Sequence, residues 1–342
     1  MDSKIKIKIG WSKPITFKKY GGVVYENQLR KILAEKADLD LVDIRTGNFK
    51  NKYLKALTFL FNLFKLKGEK DLWIRDFYTT VALSLRRTKG KNLVIIHHLD
   101  FSGFPLIAKP FLNLLKIFFF YPNLRKTDVI VVVSEYWKNY LVKKGYQDIY
   151  KIYNSFDLSD FYISDKEVLE FKNKHNLVDK PIIYLGNCQK AKGVKKSLKA
   201  LDGINAYLVT SGEPKVKINA LNLNLEDRDY LKLLKSCSVV VAMSEFEEGW
   251  CRTAHEAMLL KTPVIGSGLG GMQELLVGGK QIVCRDFKDL KTKVQDLLNH
   301  PYLRDEMGEY GYNFAKEFTL ERFEREWLNL IEEILNKNNQ IR

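Results

Sequence analysis

Phe246–Leu275 reads FEEGWCRTAHEAMLLKTPVIGSGLGGMQEL and follows, two residues on, the apolar run SVVVAM at Ser238–Met243. The run has strand length and ends near Met243. A polar loop holding Glu248 follows, a helix is expected to begin near Thr253, and PVIGSG at Pro263–Gly268 is a second apolar run that ends in glycines. Strand, loop, helix and strand in that order make one unit of a parallel sheet covered on both faces. The free N–H groups and positive dipole end of such a helix form an anion site.

The same unit recurs outward in both directions. PIIYLG (Pro181–Gly186) and AYLVTSG (Ala206–Gly212) precede it as apolar runs ending near small residues. Before residue 160, Lys and Ile alternate from Lys4 to Ile9 with the period of a strand. Gly21-Gly22 and the helical stretch VVYENQLRKILAEK follow, and then LDLVDI (Leu39–Ile44), Asp71–Ile74, Leu93–Ile96 and Val129–Val133, each separated by helix-length sequence. A chain of 342 residues suits two α/β domains better than one core. The expected division is 1–160, 161–320 and a C-terminal helix in 321–342, with NSFDLSDFYISDKE (154–167) as linker. Leu320–Leu335 is amphipathic, with Phe323, Trp327, Leu330 and Ile331 on one side.

Charge is uneven. Residues 1–150 hold 28 Lys and Arg against 13 Asp and Glu, so the whole net charge of +15 lies there. A basic half points to an anionic partner. Four widely spaced cysteines (Cys188, Cys237, Cys251, Cys284) imply neither a metal cluster nor a disulfide framework, and fit a reducing cytoplasm. MDSKIKIKIG lacks the apolar run of a signal peptide. LNLLKIFFFY (Leu112–Tyr121) is too short to cross a bilayer, which takes about 20 residues. No Gly-x-Gly-x-x-Gly follows a strand, which argues against a dehydrogenase. Of the two Asp-x-Asp triplets, Asp38/Asp40 and Asp227/Asp229, neither follows a clear strand end, so no metal is expected.

The segment quoted first resembles the signature of retaining glycosyltransferase family 4. Glu248-Gly249-Trp250 is similar to its Glu-Gly-aromatic, seven residues separate Glu248 from Glu256, and Glu256-Ala257-Met258, Pro263-Val264-Ile265, Gly270-Gly271 and Glu274 continue the match. YLGNCQKAKG resembles the family's Gly-Arg-x-x-x-x-Lys-Gly at Gly186, Lys192 and Gly193, with Asn187 where Arg is usual and Lys190 or Arg252 left as replacement cations. NLVIIHHLD resembles its strand followed by His and Asp, and Gly21-Gly22 its glycine loop. Ser134, Asn154 and Asp157 match positions near the hinge and are read as structural.

The resemblance implies two facing Rossmann-like domains (GT-B), with a C-terminal helix crossing back to the first domain. The first domain takes the acceptor and the second takes a nucleotide-diphosphate sugar. Glu248 is the expected catalytic residue, with His97, or alternatively His98, contacting sugar or acceptor. Donor-binding positions are Gly21, Gly22, Gly186, Lys192, Trp250, Cys251, Arg252, Thr253 and Glu256, with Glu256 on the ribose and Lys192 on the leaving diphosphate. Cys251 stands where the family has Gly and cannot take positive φ as cheaply, so a locally different loop is expected. Its only nearby base in sequence is His255.

The function implied is a retaining, metal-independent hexosyltransferase acting on a glycan or lipid-linked acceptor, without cofactor, in cell-surface polysaccharide or glycolipid synthesis. A nucleotide-sugar epimerase of the same fold and a nucleic-acid-binding α/β protein are the rivals; a nucleic-acid partner is not expected. Lys50–Lys70, with Leu54, Leu57, Phe61 and Phe64 and with Lys52, Lys55, Lys65 and Lys67, and Leu106–Lys126, with Phe111, Leu115, Phe118 and Phe119, are expected to dock on an anionic membrane from the cytoplasm.

Overall fold

The computed structural model describes residues 7–14, 21–44, 54, 58–59, 61–63, 65–81, 87–101 and 108–339. The chain divides into two compact units, Met1–Tyr153 with Glu324–Arg342, and Asn154–Phe323. The division falls at 153/154 and 323/324, where the sequence reading places it at 160/161 and 320/321.

In the first unit, β1 (Lys8–Pro14), β2 (Asp38–Ile44), β3 (Gly68–Arg75), β4 (Thr88–Ile96), β5 (Val129–Val132) and β6 (Ile149–Lys151) form a sheet in the order β2-β1-β3-β4-β5-β6. All pairs are parallel, with Ile9 opposite both Leu39 and Leu72, and Leu93 opposite Val129. Helices α1 (Gly21–Lys36), α2 (Phe77–Val81), α3 (Lys109–Leu115), α4 (Tyr121–Leu124) and α5 (Glu135–Val142) connect them, with a π-helical turn at Lys116–Phe120. The strand expected at Lys4–Ile9 runs instead through Lys8–Pro14; Lys4 and Lys6 lie outside the described residues.

The second unit holds β7 (Ile182–Asn187), β8 (Tyr207–Ser211), β9 (Leu221–Leu223), β10 (Val239–Ala242), β11 (Val264–Gly266) and β12 (Ile282–Val283), in the order β12-β11-β10-β7-β8-β9. Its helices are α6 (Asp165–Lys174), α7 (Val194–Ala200), α8 (Asp227–Ser236), α9 (Arg252–Leu259), α10 (Met272–Gly278), α11 (Leu290–Asn299) and α12 (Pro301–Ala315); α13 (Leu320–Asn339) begins here and continues in the first unit. The central strands are continuous apolar runs because both faces are covered: VIVV of β5 and VVVA of β10 are buried throughout. Ile183, Leu185, Val194, Val241, Ile265 and Leu290 belong to one core. β6, β9 and β12 were not anticipated. Each is an edge strand of two or three residues, too short to show a period.

Read from β9, the second sheet has the order 3-2-1-4-5-6, which reverses direction between β7 and β10. Ligands of open α/β sheets bind beyond the carboxyl ends of the strands at such a reversal. Gly193 closes this point. Its φ is +69°, and a Cβ there would lie 2.1 Å from the Met243 carbonyl oxygen. Only glycine lets the turn after β7 press on the end of β10. The Glu245 amide also donates to the Ala191 carbonyl at 2.8 Å.

Candidate active site

The loops after β7 and β10 bring Lys192 and Glu248 together. Lys192 leaves a 3-10 turn at Lys190–Lys192, and its Nζ donates to Glu248 Oε1 at 2.6 Å. Glu248 Oε1 also accepts from Ser244 Oγ. The Glu248 side chain is 8% exposed and that of Lys192 29%, so the ammonium is the member open to solvent. Burial pulls the Lys192 pKa down, but the charge of Glu248 and the nearby Cys251 more than reverse this and leave it above its ordinary value. The Glu248 backbone is held by the glycine pair: the Gly271 amide donates to the Glu248 carbonyl at 2.9 Å. At Gly270, with φ +66°, a Cβ would sit 2.4 Å from that same carbonyl oxygen.

Helix α9 starts at Arg252, one residue before the start expected near Thr253, so Glu256 lies on its second turn. Tyr230 Oη donates to Glu256 Oε2 at 3.3 Å and lies 3.2 Å from Thr253 Oγ1. Arg252 Nε lies 3.4 Å from Glu256 Oε1. Burial raises the Glu256 pKa, and Arg252 and Tyr230 oppose the rise. The arrangement holds a carboxylate that can accept further hydroxyls. Arg252 itself is occupied: Nη1 donates to the Ser155 carbonyl at 3.3 Å and the guanidinium sits 4.1 Å from the Phe156 ring centroid. Lys190, the other candidate for the cation missing at Asn187, is exposed and has no side-chain partner among the described residues. Asn187 accepts from Ser211 Oγ at 2.9 Å. Gly186, the residue before the last of β7, has φ +99°.

Cys251 adopts the left-handed conformation directly, with φ +75°. The strain of a non-glycine residue in that conformation is carried by the fold. Burial first, then Glu248, pushes its thiol up to about 12, the opposite of an activated nucleophile. Trp250 is also buried, its Nε1 donating to His255 Nδ1 at 3.0 Å. What Trp250 and Cys251 can offer a ligand is backbone.

His255 is no base for this site. Its Nε2 faces the Ala315 carbonyl at 3.0 Å, so the proton sits on Nε2 while Nδ1 accepts from Trp250. Its ring stacks on Phe156 at 4.0 Å. Burial drives its pKa from 6.5 to about 3, with Arg252 adding. Folded His255 stays neutral while the unfolded chain takes up a proton below 6.5, so stability is lost as pH falls from 6.5 toward 3. The expected slope from this group is about 1.4 kcal/mol per pH unit. Denaturant midpoints measured at pH 7 and 5 should converge in His255→Gln; an unchanged pH dependence would refute the assignment.

In the first unit, His97 follows β4 and its Nε2 lies 3.4 Å from Glu26 Oε1, a buried nitrogen with no well-formed hydrogen bond. Gly22 explains this approach, since a Cβ there would be 3.0 Å from His97 Cδ2. Tyr25 meets the ring edge-on at 5.2 Å. His98 turns to its own backbone, its Nδ1 lying 3.1 Å from the Asp100 carbonyl. Gly21 is the first residue of α1.

Two carboxylates here escaped the sequence reading. Glu26 lies one helical turn beyond Gly22. Asp76 directly follows β3, and its Oδ1 accepts from the Thr79 amide at 2.8 Å. Burial, and more weakly Glu26, lift the Asp76 carboxyl to about 6. An acid placed immediately after a strand end, next to the reversal between β1 and β3, was the signal available.

Residues 165–314 match the family model Glycosyl transferases group 1. An uncharacterized glycosyltransferase of Methanocaldococcus jannaschii is 28% identical over 294 residues, 79% of each chain. The capsular polysaccharide biosynthesis glycosyltransferase CapM of Staphylococcus aureus is 23% identical, with 84% of this chain and 80% of its own covered. Sucrose-phosphate synthase from Thermosynechococcus elongatus superposes with TM-score 0.78 at 17% identity, over 96% of this chain and 99% of that one. Anabaena HepE, solved with UDP-glucose, superposes with TM-score 0.73 at 14% identity, over 96% and 100%. The two parallel six-stranded sheets match GT-B structures, the second unit carries the family match, and the chain is a glycosyltransferase of the GT-B fold.

Proposed function

We propose that this glycosyltransferase is retaining and metal-independent. It moves a hexose from a nucleotide-diphosphate sugar to a glycan or lipid-linked acceptor, in cell-surface polysaccharide or glycolipid synthesis at the cytoplasmic face of the membrane. The observation that carries the reading is the Lys192–Glu248 pair at the β7/β10 reversal. Departure of a nucleoside diphosphate builds negative charge, and a fixed ammonium beside the start of α9 stabilises it without a bound cation. Glu248 then faces the sugar, where positive charge develops at the anomeric carbon. Glu256, already set by Tyr230 and Arg252, receives the ribose hydroxyls. His97 of the first unit is assigned to a sugar or acceptor hydroxyl, in the unit that takes the acceptor. HepE, which shares the fold, was solved with UDP-glucose, and CapM is named for capsular polysaccharide synthesis. Both favour this donor and acceptor class.

A panel of UDP, GDP, ADP and their sugars tests the donor side. The matching nucleotide should raise the melting temperature, because it binds only the folded state. Release of nucleoside diphosphate should then depend on an added glycan or lipid acceptor. Turnover of the sugar nucleotide independent of any acceptor would favour an epimerase, and no thermal shift with any nucleotide would remove the donor assignment.

A further inference from the structure

The helical segment from Lys109 to Leu124 carries an apolar face that the described residues leave uncovered. Its inward side chains are Leu112, Phe120 and Leu124, which are buried. Leu115, expected outside from sequence, is instead partly buried against the cluster of Val94, Ile96, Val132 and Trp137. Leu115 sits three residues after Leu112, on the same face of the α-helix. The π-helical turn at Lys116–Phe120 then brings Phe120, five residues after Leu115, to the sheet and leaves Phe119 outside. Ile117, Phe118 and Phe119 are left 56%, 64% and 44% exposed, and Phe111 and Leu114 52% and 50%. Ile117, Phe118 and Phe119 are consecutive and so spread over a broad arc of the helix circumference. An apolar surface this broad marks a docking site, not a chance excess. No described helix is long and apolar enough to cross a membrane.

Charge selects the occupant. Phe101–Thr127 contains Lys109, Lys116, Arg125 and Lys126 and not one Asp or Glu. At the end of the face the cations lie over aromatic rings: Arg125 is 5.4 Å from the Tyr146 centroid, and Lys144 is 5.3 Å from that of Tyr121. Aromatic rings with adjoining Lys and Arg suit the headgroup layer, where an apolar face is buried and each cation meets anionic lipid. A second copy would bring the same acid-free segment to a symmetric interface and set like charges together.

We propose that this segment is the docking face for an anionic bilayer, with Phe111, Leu114, Ile117, Phe118 and Phe119 entering the headgroup–acyl boundary and Arg125 and Lys126 meeting lipid phosphates. It deepens the reading of a membrane-borne acceptor and rests on that reading for its purpose. The second stretch expected to dock contributes Leu54 and Phe61, 46% and 58% exposed; Leu57, Phe64, Lys52 and Lys55 lie outside the described residues.

Flotation of the full chain with phosphatidylcholine vesicles, with and without phosphatidylglycerol, tests the proposal. The protein should float with phosphatidylglycerol at low salt and much less at high salt. Phe118→Glu combined with Phe119→Glu should lower the floated fraction about tenfold or more. Neutralising Arg125 and Lys126 to Gln should lower it about fivefold per charge on anionic vesicles alone. Both residue pairs lie far from the nucleotide residues in sequence, and an unchanged thermal shift with the nucleoside diphosphate certifies each variant as folded. Wild-type protein that stays unfloated at low salt while binding nucleotide overturns the docking face and leaves the transferase reading intact. Flotation without any nucleotide response does the reverse. A dimer by light scattering that the Phe118→Glu change dissolves, with flotation unaltered, also overturns it in favour of self-association.

Discussion

Lys192→Ala is expected to lower turnover by about a hundredfold to a thousandfold and to weaken nucleoside-diphosphate binding by about 1.5–3 kcal/mol. The ammonium is placed by the turn after β7 and donates to Glu248 Oε1. Loss of the cation removes stabilisation that grows as the leaving group takes up charge, so kcat falls as well as affinity. The same change strands a carboxylate that is 8% exposed. Removing one partner from a buried pair costs about 3–5 kcal/mol, and this pair's open ammonium puts it at or below the lower end. Part of the lost activity could therefore come from lost folding. Lys192→Met combined with Glu248→Gln separates the two. With both charges gone, the unfolding midpoint should recover most of the way to wild type while turnover stays low. Wild-type affinity and rate in Lys192→Ala would remove Lys192 from the site.

The two glutamates are expected to part ways. Glu248→Gln keeps the size of the side chain and its acceptor for Ser244 Oγ but removes the charge. It should lower kcat by about a hundredfold or more with little change in nucleotide affinity, if the charge acts on the transition state. Glu256→Gln should chiefly weaken nucleotide binding, by about 1.5–3 kcal/mol, because its carboxylate is shared among Tyr230, Arg252 and the incoming ribose. Since burial raises the Glu256 pKa, nucleotide affinity should also fall as pH drops through that raised value, and the fall should disappear in Glu256→Gln. Wild-type kinetics in both variants would dismiss the loop after β10 and helix α9 as the active site.

The architecture was legible because it rests on local signals. Runs such as VVVA and IIYL are apolar throughout since a parallel sheet is covered on both faces, and that pattern survives in one dimension. The edge strands β6, β9 and β12 were not legible, being too short for any period. The candidate site was legible as a string of residue types from Glu248 to Glu274, and the glycines in it had backbone reasons that only the tertiary structure supplied: Gly270 clears the Glu248 carbonyl and Gly193 clears Met243.

The sequence by itself determined which side chains carry charge, where the turns fall, and that the basic excess lies in the first 150 residues. Tertiary structure decided who meets whom. Lys192 and Glu248 are 56 residues apart and become an ion pair because β7 and β10 are neighbours. Glu26 and His97 meet because Gly22, the second residue of α1, admits the imidazole. Trp250, His255 and Cys251 look chemically available in the linear motif and are buried in the fold, where Arg252 is tied to Ser155 and Glu256. Leu115, expected on the outer face, packs on the core instead, and one π-helical turn brings Phe120 inward beside the exposed Phe119. Each of these depends on strand order or on a single helical winding. Periodicity in sequence reports which face a residue shares with its near neighbours; the element that face will meet is set by contacts between residues distant in the chain.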